Sequence, residues 1–220
     1  YPVLPADSTN LVAWYKFDNP NPLNDEKGNY PLTNSGTSVI FTSNEKLIGE
    51  SSYFPTSSNG ANHLSITNSF SPYNIWSGNG ITFSWWMKLG SSQTYGRPFE
   101  FGIDSNNRFS CYIQSGECSI QFKVGSSTTQ GSVLLYPGNN GVNIWKHYVF
   151  SIDTHGVWSS YLNGVNQNIS HTFNIPNISY TYSRLGESFF GGSTDMLQGY
   201  MDDFRIYDKA LSAYEIDILA

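Results

Sequence analysis

The sequence is poor in charge, in cysteine and in long apolar runs, and each shortage excludes a class of function. Only 13% of the 220 residues are charged, the 11 Lys and Arg form no cluster, and the formal net charge is −6. Because nucleic acids and anionic lipids are bound by grouped Lys and Arg, neither is expected as the main partner. No stretch of 18 apolar residues occurs, so the sequence predicts no membrane insertion.

Recognisable catalytic patterns are also missing. Jelly-roll glycoside hydrolases need two carboxylates flanking the scissile bond, which on one strand means alternate acids such as ExDxE, and none occurs. There is no GxSxG, P-loop or Cys/His nucleophile pattern. The four histidines are scattered and the two cysteines lack CxxC spacing, which argues against a transition metal. We therefore predict a domain that is not an enzyme.

What is present is typical of a turn-rich β protein. There are 20 glycines, aromatics make up 16% of the chain, and short alternating segments follow one another with hardly a helical pattern. These segments include a predicted strand at Val133–Tyr136, a turn at Asn59–Gly60 and a hairpin turn at Asn163–Gly164. The sequence predicts one antiparallel β-sandwich over residues 11–220, preceded by a linker or edge segment at 1–10.

The stretch GYMDDFRIYDKALSAYEIDIL, residues 199–219, combines a strand, two adjacent carboxylates and a helix start. Strict alternation would put Asp202 on one face with Phe204 and Ile206, and Asp203 with Arg205 on the other. A carboxylate on an apolar face needs a partner. Two readings stay open: Asp202 accepts backbone N–H bonds at the end of the strand, or it binds a metal ion. Beyond the strand, the spacing of Ser212 and Glu215 predicts a capping box and a short C-terminal helical turn.

This closing stretch resembles the laminin G-like jelly-roll modules of the concanavalin A-like lectin/glucanase superfamily. Four other stretches agree in order and spacing: FDNPNPLNDEKGN, SSYFPTSSNGANHLSI, ITFSWWMKL and WKHYVFSIDTHGVWSSYLNGV. The resemblance covers roughly Leu11 to Leu219. It implies a jelly-roll β-sandwich whose first and last strands are neighbours.

The resemblance also implies a structural Ca²⁺ site. Asp18 and Asp202 match recurring acidic positions of the family, Asp25 lies in the connecting loop, and Asn29 or loop carbonyls near Lys27 could complete the oxygen ligands that calcium prefers. The alternative is that Asp25 only caps the turn at Gly28.

Cys111 and Cys118 flank the expected hairpin tip at Ser115–Gly116. A four-residue loop would place the two cysteines opposite each other and favour a disulfide, whereas a two-residue loop would leave them diagonal and hard to bridge. We predict the disulfide, with two buried thiols as the alternative.

The remaining chemistry is suited to recognition. Sugars are held by polar groups above an aromatic platform, and the candidate platforms are Trp76, Tyr95, Trp158, Phe189 and Phe190, with burial in the core as the alternative for each. We predict a calcium-stabilised, non-catalytic module that binds a glycan or surface glycoprotein. It would be one domain of a larger extracellular protein at a cell or virion surface. A structural or protein-adhesion module without a sugar site is the rival prediction, because fold does not determine function.

Overall fold

A computed structural model describes residues 1–4, 6–35, 39–55, 62–68, 70–91, 93–114, 117–125, 142–190 and 195–220. Two antiparallel sheets pack face to face, which confirms the predicted β-sandwich. The predicted strand at 133–136, the turn at 59–60 and the hairpin tip at 115–116 lie outside these described residues.

The larger sheet has eight strands in the order β12-β11-β10-β6-β14-β4-β3, with β1 paired to β14. Its strands are β1 (Leu11–Tyr15), β3 (Ile40–Thr42), β4 (Ser51–Phe54), β6 (Ile81–Leu89), β10 (Trp145–Ile152), β11 (Val157–Leu162), β12 (Val165–Thr172) and β14 (Gly199–Tyr207). The pairing of β1 with β14 confirms that the first and last strands of the domain are neighbours.

The smaller sheet has six strands in the order β2-β5-β13-β7-β8-β9. Its strands are β2 (Leu32–Ser35), β5 (His63–Ile66), β7 (Thr94–Asp104), β8 (Asn107–Gln114), β9 (Glu117–Val124) and β13 (Tyr182–Leu185). On β8, Phe109, Cys111 and Ile113 point into the core between the sheets. Arg108, Ser110, Tyr112 and Gln114 therefore alternate onto the outer face.

The described residues also form the helices α1 (Ala6–Thr9), α2 (Pro72–Asn79) and α3 (Ala213–Leu219). The predicted capping box is present at α3, where the Ser212 side chain accepts from the Glu215 backbone N–H and the Glu215 side chain accepts from the Ser212 backbone N–H. The Asn163–Gly164 turn joins β11 to β12 with both residues at positive φ, as a type I′ hairpin requires.

The described part of the first ten residues contacts the rest of the domain. Leu4 and Ala6 are buried in a second apolar cluster with residues of α3, and the Asp7 carboxylate accepts a 2.8 Å hydrogen bond from the Tyr207 hydroxyl. These contacts favour the edge-segment alternative of the sequence prediction for residues 1–10.

The prediction that Asp202 shares a face with Phe204 and Ile206 is wrong, because strand β14 contains a β-bulge. Met201 points into the core with Phe204 and Ile206, so an extra residue stands between them, and Asp203 takes a positive φ of 49° at that point. Asp202 consequently lies on the opposite face from Phe204 and Ile206, on the outer side of the eight-stranded sheet.

Candidate functional site

The outer face of the six-stranded sheet is organised around Glu100, whose side chain is fully buried. The Glu100 carboxylate accepts hydrogen bonds from the Phe189 backbone N–H at 2.9 Å, the Ser188 hydroxyl at 3.0 Å and the Tyr182 hydroxyl at 3.3 Å. Arg108 Nη1 at 3.4 Å and Arg97 Nε at 3.5 Å approach the same carboxylate. The partners of Glu100 therefore come from strands β7, β8 and β13 and from the segment that follows β13. A buried charge is tolerated when it has partners of this kind.

A pocket of about 290 Å³ lies on one side of Glu100, and we call it the arginine pocket. It is lined by Tyr95, Arg97, Arg108, Tyr112, Gln114 and Gln121. The lining combines two aromatic rings with two guanidinium groups and two amides, a mixture that can hold a sugar ring from below and hydrogen-bond its hydroxyls.

Tyr95 is the exposed aromatic residue of this pocket, with 42% of its surface accessible. Its φ of 70° is rare for a bulky residue and costs backbone energy, and such outliers are concentrated at functional sites. Arg97 helps to hold this conformation, because its Nη1 donates a 3.0 Å hydrogen bond to the Tyr95 carbonyl oxygen. The Arg97 guanidinium also lies 5.2 Å from the centre of the Tyr112 ring.

On the other side of Glu100 lies an exposed aromatic cluster formed by Tyr182, Phe189 and Phe190. The rings of Tyr182 and Phe189 stack at 4.4 Å, and the Arg184 guanidinium lies 4.3 Å from the centre of the Phe189 ring. Phe189 and Phe190 remain 45% and 40% exposed. Burial and the charge of Glu100 raise the pKa of Tyr182, so its hydroxyl stays protonated and donates to Glu100.

Three of the five predicted platforms are therefore exposed, and two are not. Trp158 is fully buried and its Nε1 donates to the Phe173 carbonyl oxygen, while Trp76 is buried and donates to the Asp153 carbonyl oxygen. Both satisfy their indole N–H inside the core, so the prediction that they are platforms is wrong.

A second acidic site lies on the outer side of the eight-stranded sheet, where residues 45–50 fold over Asp18 and Asp202. The Glu50 backbone N–H donates to Asp18 Oδ1 at 2.7 Å, and the Leu47 and Ile48 N–H groups donate to Asp202 Oδ2 at 3.2 Å each. Gly49 is required there, because a Cβ at its position would meet Asp18 Oδ1 at 2.0 Å. The backbone partners expected for Asp202 are thus present, yet they do not satisfy it fully.

The Tyr1 hydroxyl lies at the centre of this second site. It is 2.8 Å from Asp18 Oδ2 and 3.2 Å from each of the carbonyl oxygens of Lys16 and Ile48. A hydroxyl has one proton to donate, so three converging acceptors exceed what it can satisfy. Burial and the charges of Asp202 and Asp18 raise the pKa of Tyr1.

Asp202 lacks a partner for one of its carboxylate oxygens. Among the described residues, Asp202 Oδ1 is buried without a hydrogen bond. Burial is the main cause that raises the pKa of Asp202 to about 8. An uncompensated buried carboxylate beside crowded carbonyl oxygens is chemistry that a hard cation would satisfy.

Asp25 and Asn29 do not join this set. The carboxylate of Asp25 accepts four backbone N–H bonds of 2.8–3.0 Å, from Trp14, Lys27, Asn29 and Tyr30. Asp25 therefore caps its turn, which is the alternative left open by the sequence. In the described part of the chain, no three His, Cys, Asp or Glu side chains converge on a possible metal position, so a calcium ion would need main-chain oxygens as well.

The two cysteines are free thiols in the structure. Gln114 pairs with Glu117, which leaves a two-residue loop, and Cys118 stands opposite Ile113 rather than Cys111. The four-residue loop assumed for the disulfide is thus wrong. The diagonal sulfurs nevertheless lie 3.1 Å apart in the core.

Comparison with known proteins identifies the family. The sequence model of a laminin G-like family in the concanavalin A-like lectin/glucanases superfamily matches residues 49–217, and the chain belongs to that superfamily. No curated protein matches the chain. Among the described residues, no helix is long and apolar enough to cross a membrane.

Solved structures with similar folds include a domain in complex with arabinotriose and toxin binding domains. Domain 4 of AbnA, an extracellular arabinanase of Geobacillus stearothermophilus solved with arabinotriose, is 22% identical with a TM-score of 0.73, covering 96% of this chain and 98% of that one. The binding domain of Paraclostridial Mosquitocidal Protein 1 is 16% identical with a TM-score of 0.73. The binding domain of botulinum neurotoxin DC, solved with rat synaptotagmin II, is 17% identical with a TM-score of 0.71. This chain spans about half the length of these two binding domains, since each match covers 51% of the longer domain. The matches cover 96% of this chain for the mosquitocidal protein and 97% for the botulinum neurotoxin.

Proposed function

We propose that this protein is a non-catalytic glycan-binding module whose binding surface is the outer face of the six-stranded sheet. The observation that carries the proposal is the arrangement around Glu100, where a polar pocket on strands β7, β8 and β9 lies beside exposed aromatic rings of the segment that follows β13. Sites built on strands hold their side chains more firmly than sites on loops, which suits the weak, directional contacts of sugars. The arabinotriose complex of AbnA domain 4 supports the same conclusion by analogy.

The proposal extends to setting and partners. The module would be displayed outside the cell, or on a virion, as one domain of a longer protein that binds a glycan or a surface glycoprotein. The toxin binding domains, which exceed this chain about twofold in length, are consistent with such an arrangement.

We also propose that a calcium ion stabilises the domain at Asp18 and Asp202, with the carbonyl oxygens of Lys16 and Ile48. The support is the unpartnered Asp202 Oδ1 and the three acceptors around the Tyr1 hydroxyl. The ion would neutralise the two carboxylates and hold the 45–50 loop against β14. It has no direct part in sugar binding, because the arginine pocket lies on the other sheet.

A polysaccharide panel tests the glycan proposal and the absence of hydrolysis together. We expect retention of the protein on at least one arrayed or insoluble glycan without release of new reducing ends. Sustained release of oligosaccharide that is abolished by changing one acid would contradict the non-catalytic assignment. Retention on no glycan would favour the protein-adhesion alternative, in which the exposed Phe189 and Phe190 contact a protein.

A further inference from the structure

The arginines of this chain are concentrated on the proposed binding face. The chain has four arginines and a net charge of −6, and three of the four, Arg97, Arg108 and Arg184, lie on the outer face of the six-stranded sheet. The fourth, Arg205, is buried on the other sheet and makes a bidentate pair with Asp203 at 2.8 and 3.0 Å. An acidic protein that places its arginines on one face has a site suited to a negatively charged partner.

Glu100 satisfies the two guanidiniums of the arginine pocket only in part, because among the described residues the Nε atoms of Arg97 and Arg108 are buried without a hydrogen bond. A carboxylate offers about four acceptor positions, and five groups approach Glu100. The two guanidiniums make the longest of these contacts, at 3.4 and 3.5 Å. The Phe189 N–H and the Ser188 and Tyr182 hydroxyls all donate to Glu100 Oε1, so the two guanidiniums share Oε2 at these longer distances.

Arg108 has the most unused hydrogen-bonding capacity. Among the described residues, its one hydrogen bond is the 3.4 Å contact with Glu100, and its buried Nε has no partner. Arg97 is better supported, because it contacts the Tyr95 carbonyl oxygen and lies 3.5 Å from Asp195. The buried Ser110 hydroxyl, next to Arg108 on the same strand face, also has no partner in the described part of the chain.

Resting on the glycan-binding function proposed above, we infer that the arginine pocket binds a sugar that carries an anionic group, either a carboxylate or a sulfate ester. Arg108 is the residue that pairs with the anionic group. A planar guanidinium matches the geometry of carboxylate and sulfate oxygens and loses little hydration when it binds them. Tyr95 stacks beneath the ring of the same sugar, and Gln114 and Gln121 bond its neutral hydroxyls.

Binding titrations with three kinds of oligosaccharide test this inference. The probes are oligogalacturonate for carboxylate, a sulfated galactan oligosaccharide for sulfate ester, and a neutral oligosaccharide of similar length. We expect one of the two anionic probes to bind at least about tenfold more tightly than the neutral one, since hydrogen bonds to charged groups are roughly twice as strong as neutral ones. The binding constant of that probe should fall at least about tenfold in Arg108→Gln, with Arg108→Lys between the two.

Arg184→Gln is the matched control, because it removes the same charge from the same face outside the pocket lining. Its affinity should stay within about twofold of the unchanged protein. Because Arg108→Gln removes a partner of the buried Glu100 carboxylate, every variant is titrated well below its own measured melting temperature, and Arg108→Lys, which keeps the charge, controls for loss of folding. Equal losses in Arg108→Gln and Arg184→Gln would mean diffuse charge attraction and would overturn the inference. Tighter binding of the neutral probe would overturn it too, while leaving the glycan proposal intact. If no probe or panel glycan binds, the proposed function itself fails.

Discussion

At the residue scale, Asp202 and Glu100 are both buried carboxylates, but they differ in how their charge is compensated. Glu100 has two guanidiniums and three further donors, whereas Asp202 has two backbone N–H groups and one oxygen without a partner. The partners of Glu100 offset its charge, while an ionised Asp202 destabilises the fold unless a cation is bound. Each carboxylate leads to a prediction.

For Asp202, we predict that stability in EDTA falls as pH rises. Its pKa of about 8 in the folded protein lies above the ordinary value of 3.8, so between these values the folded state binds more protons than the unfolded state. Stability is therefore greatest at low pH within this window and decreases by up to about 1.4 kcal/mol per pH unit. Urea denaturation at about pH 5, 6 and 7 measures this.

Asp202→Asn is the reference for that experiment, because it removes the titration at nearly constant size. The difference in unfolding free energy between the variant and the unchanged protein should grow in favour of the variant as pH rises. A difference that is flat with pH would show that Asp202 does not titrate in this range.

For Glu100, we predict that Glu100→Gln lowers the unfolding free energy by about 3–5 kcal/mol, since it leaves Arg97 and Arg108 buried without their shared carboxylate. Glu26→Gln removes an exposed carboxylate that pairs with Lys16 at 2.9 Å, and should cost no more than about 1 kcal/mol. Chemical denaturation of both variants gives the comparison. Similar small losses would mean that Glu100 does not organise the face.

At the element scale, strand alternation predicted much of the fold but could not place the bulge in β14. The pattern of GYMDDFRIY, the Asn163–Gly164 turn and the capping box at Ser212 are local signals, and all three elements form. The bulge depends on the register of β14 against β6, which is a contact between distant parts of the chain. The same is true of Glu100, which appears isolated in the sequence because its partners come from three other segments.

The β8–β9 hairpin gives the element-scale prediction. Its diagonal thiols lie 3.1 Å apart, and we expect an oxidant to convert them to a disulfide, as predicted from the sequence. The change in stability should not exceed about 2–3 kcal/mol, because the closed loop is short and the hairpin already constrains it. Intact mass spectrometry after alkylation under native, oxidising conditions reports the outcome, and two alkylated cysteines would contradict the disulfide.

At the scale of the whole molecule, the two proposed sites occupy outer faces of different sheets, so their effects can be separated. Calcium should stabilise the entire domain by about 2.7 kcal/mol at a hundredfold excess over its dissociation constant. For a chain of this length, that corresponds to a rise in melting temperature of about 5–10 °C. Thermal melts in Ca²⁺ and in EDTA measure it.

Asp202→Asn again serves as the control, because it should melt at the same temperature with and without Ca²⁺. If the unchanged protein also melts identically in Ca²⁺ and EDTA, the calcium proposal is refuted and the glycan proposal is untouched. The sequence supplied Asp18 and Asp202 through family resemblance. The sequence could not predict that the carbonyl oxygens of Lys16 and Ile48 lie at the proposed site, because every residue has a backbone carbonyl.

The central claim is that the outer face of the six-stranded sheet binds glycan, and calorimetric titration of Tyr95→Ala tests it most directly. The titrant is a soluble form of the glycan that retains the protein in the panel. The control is Tyr214→Ala, which removes a 75% exposed tyrosine of α3 that is not part of the pocket lining. We predict that Tyr95→Ala weakens binding at least about tenfold with its melting temperature unchanged, while Tyr214→Ala binds as the unchanged protein does. Full affinity in Tyr95→Ala, or an equal loss in Tyr214→Ala, would contradict the claim.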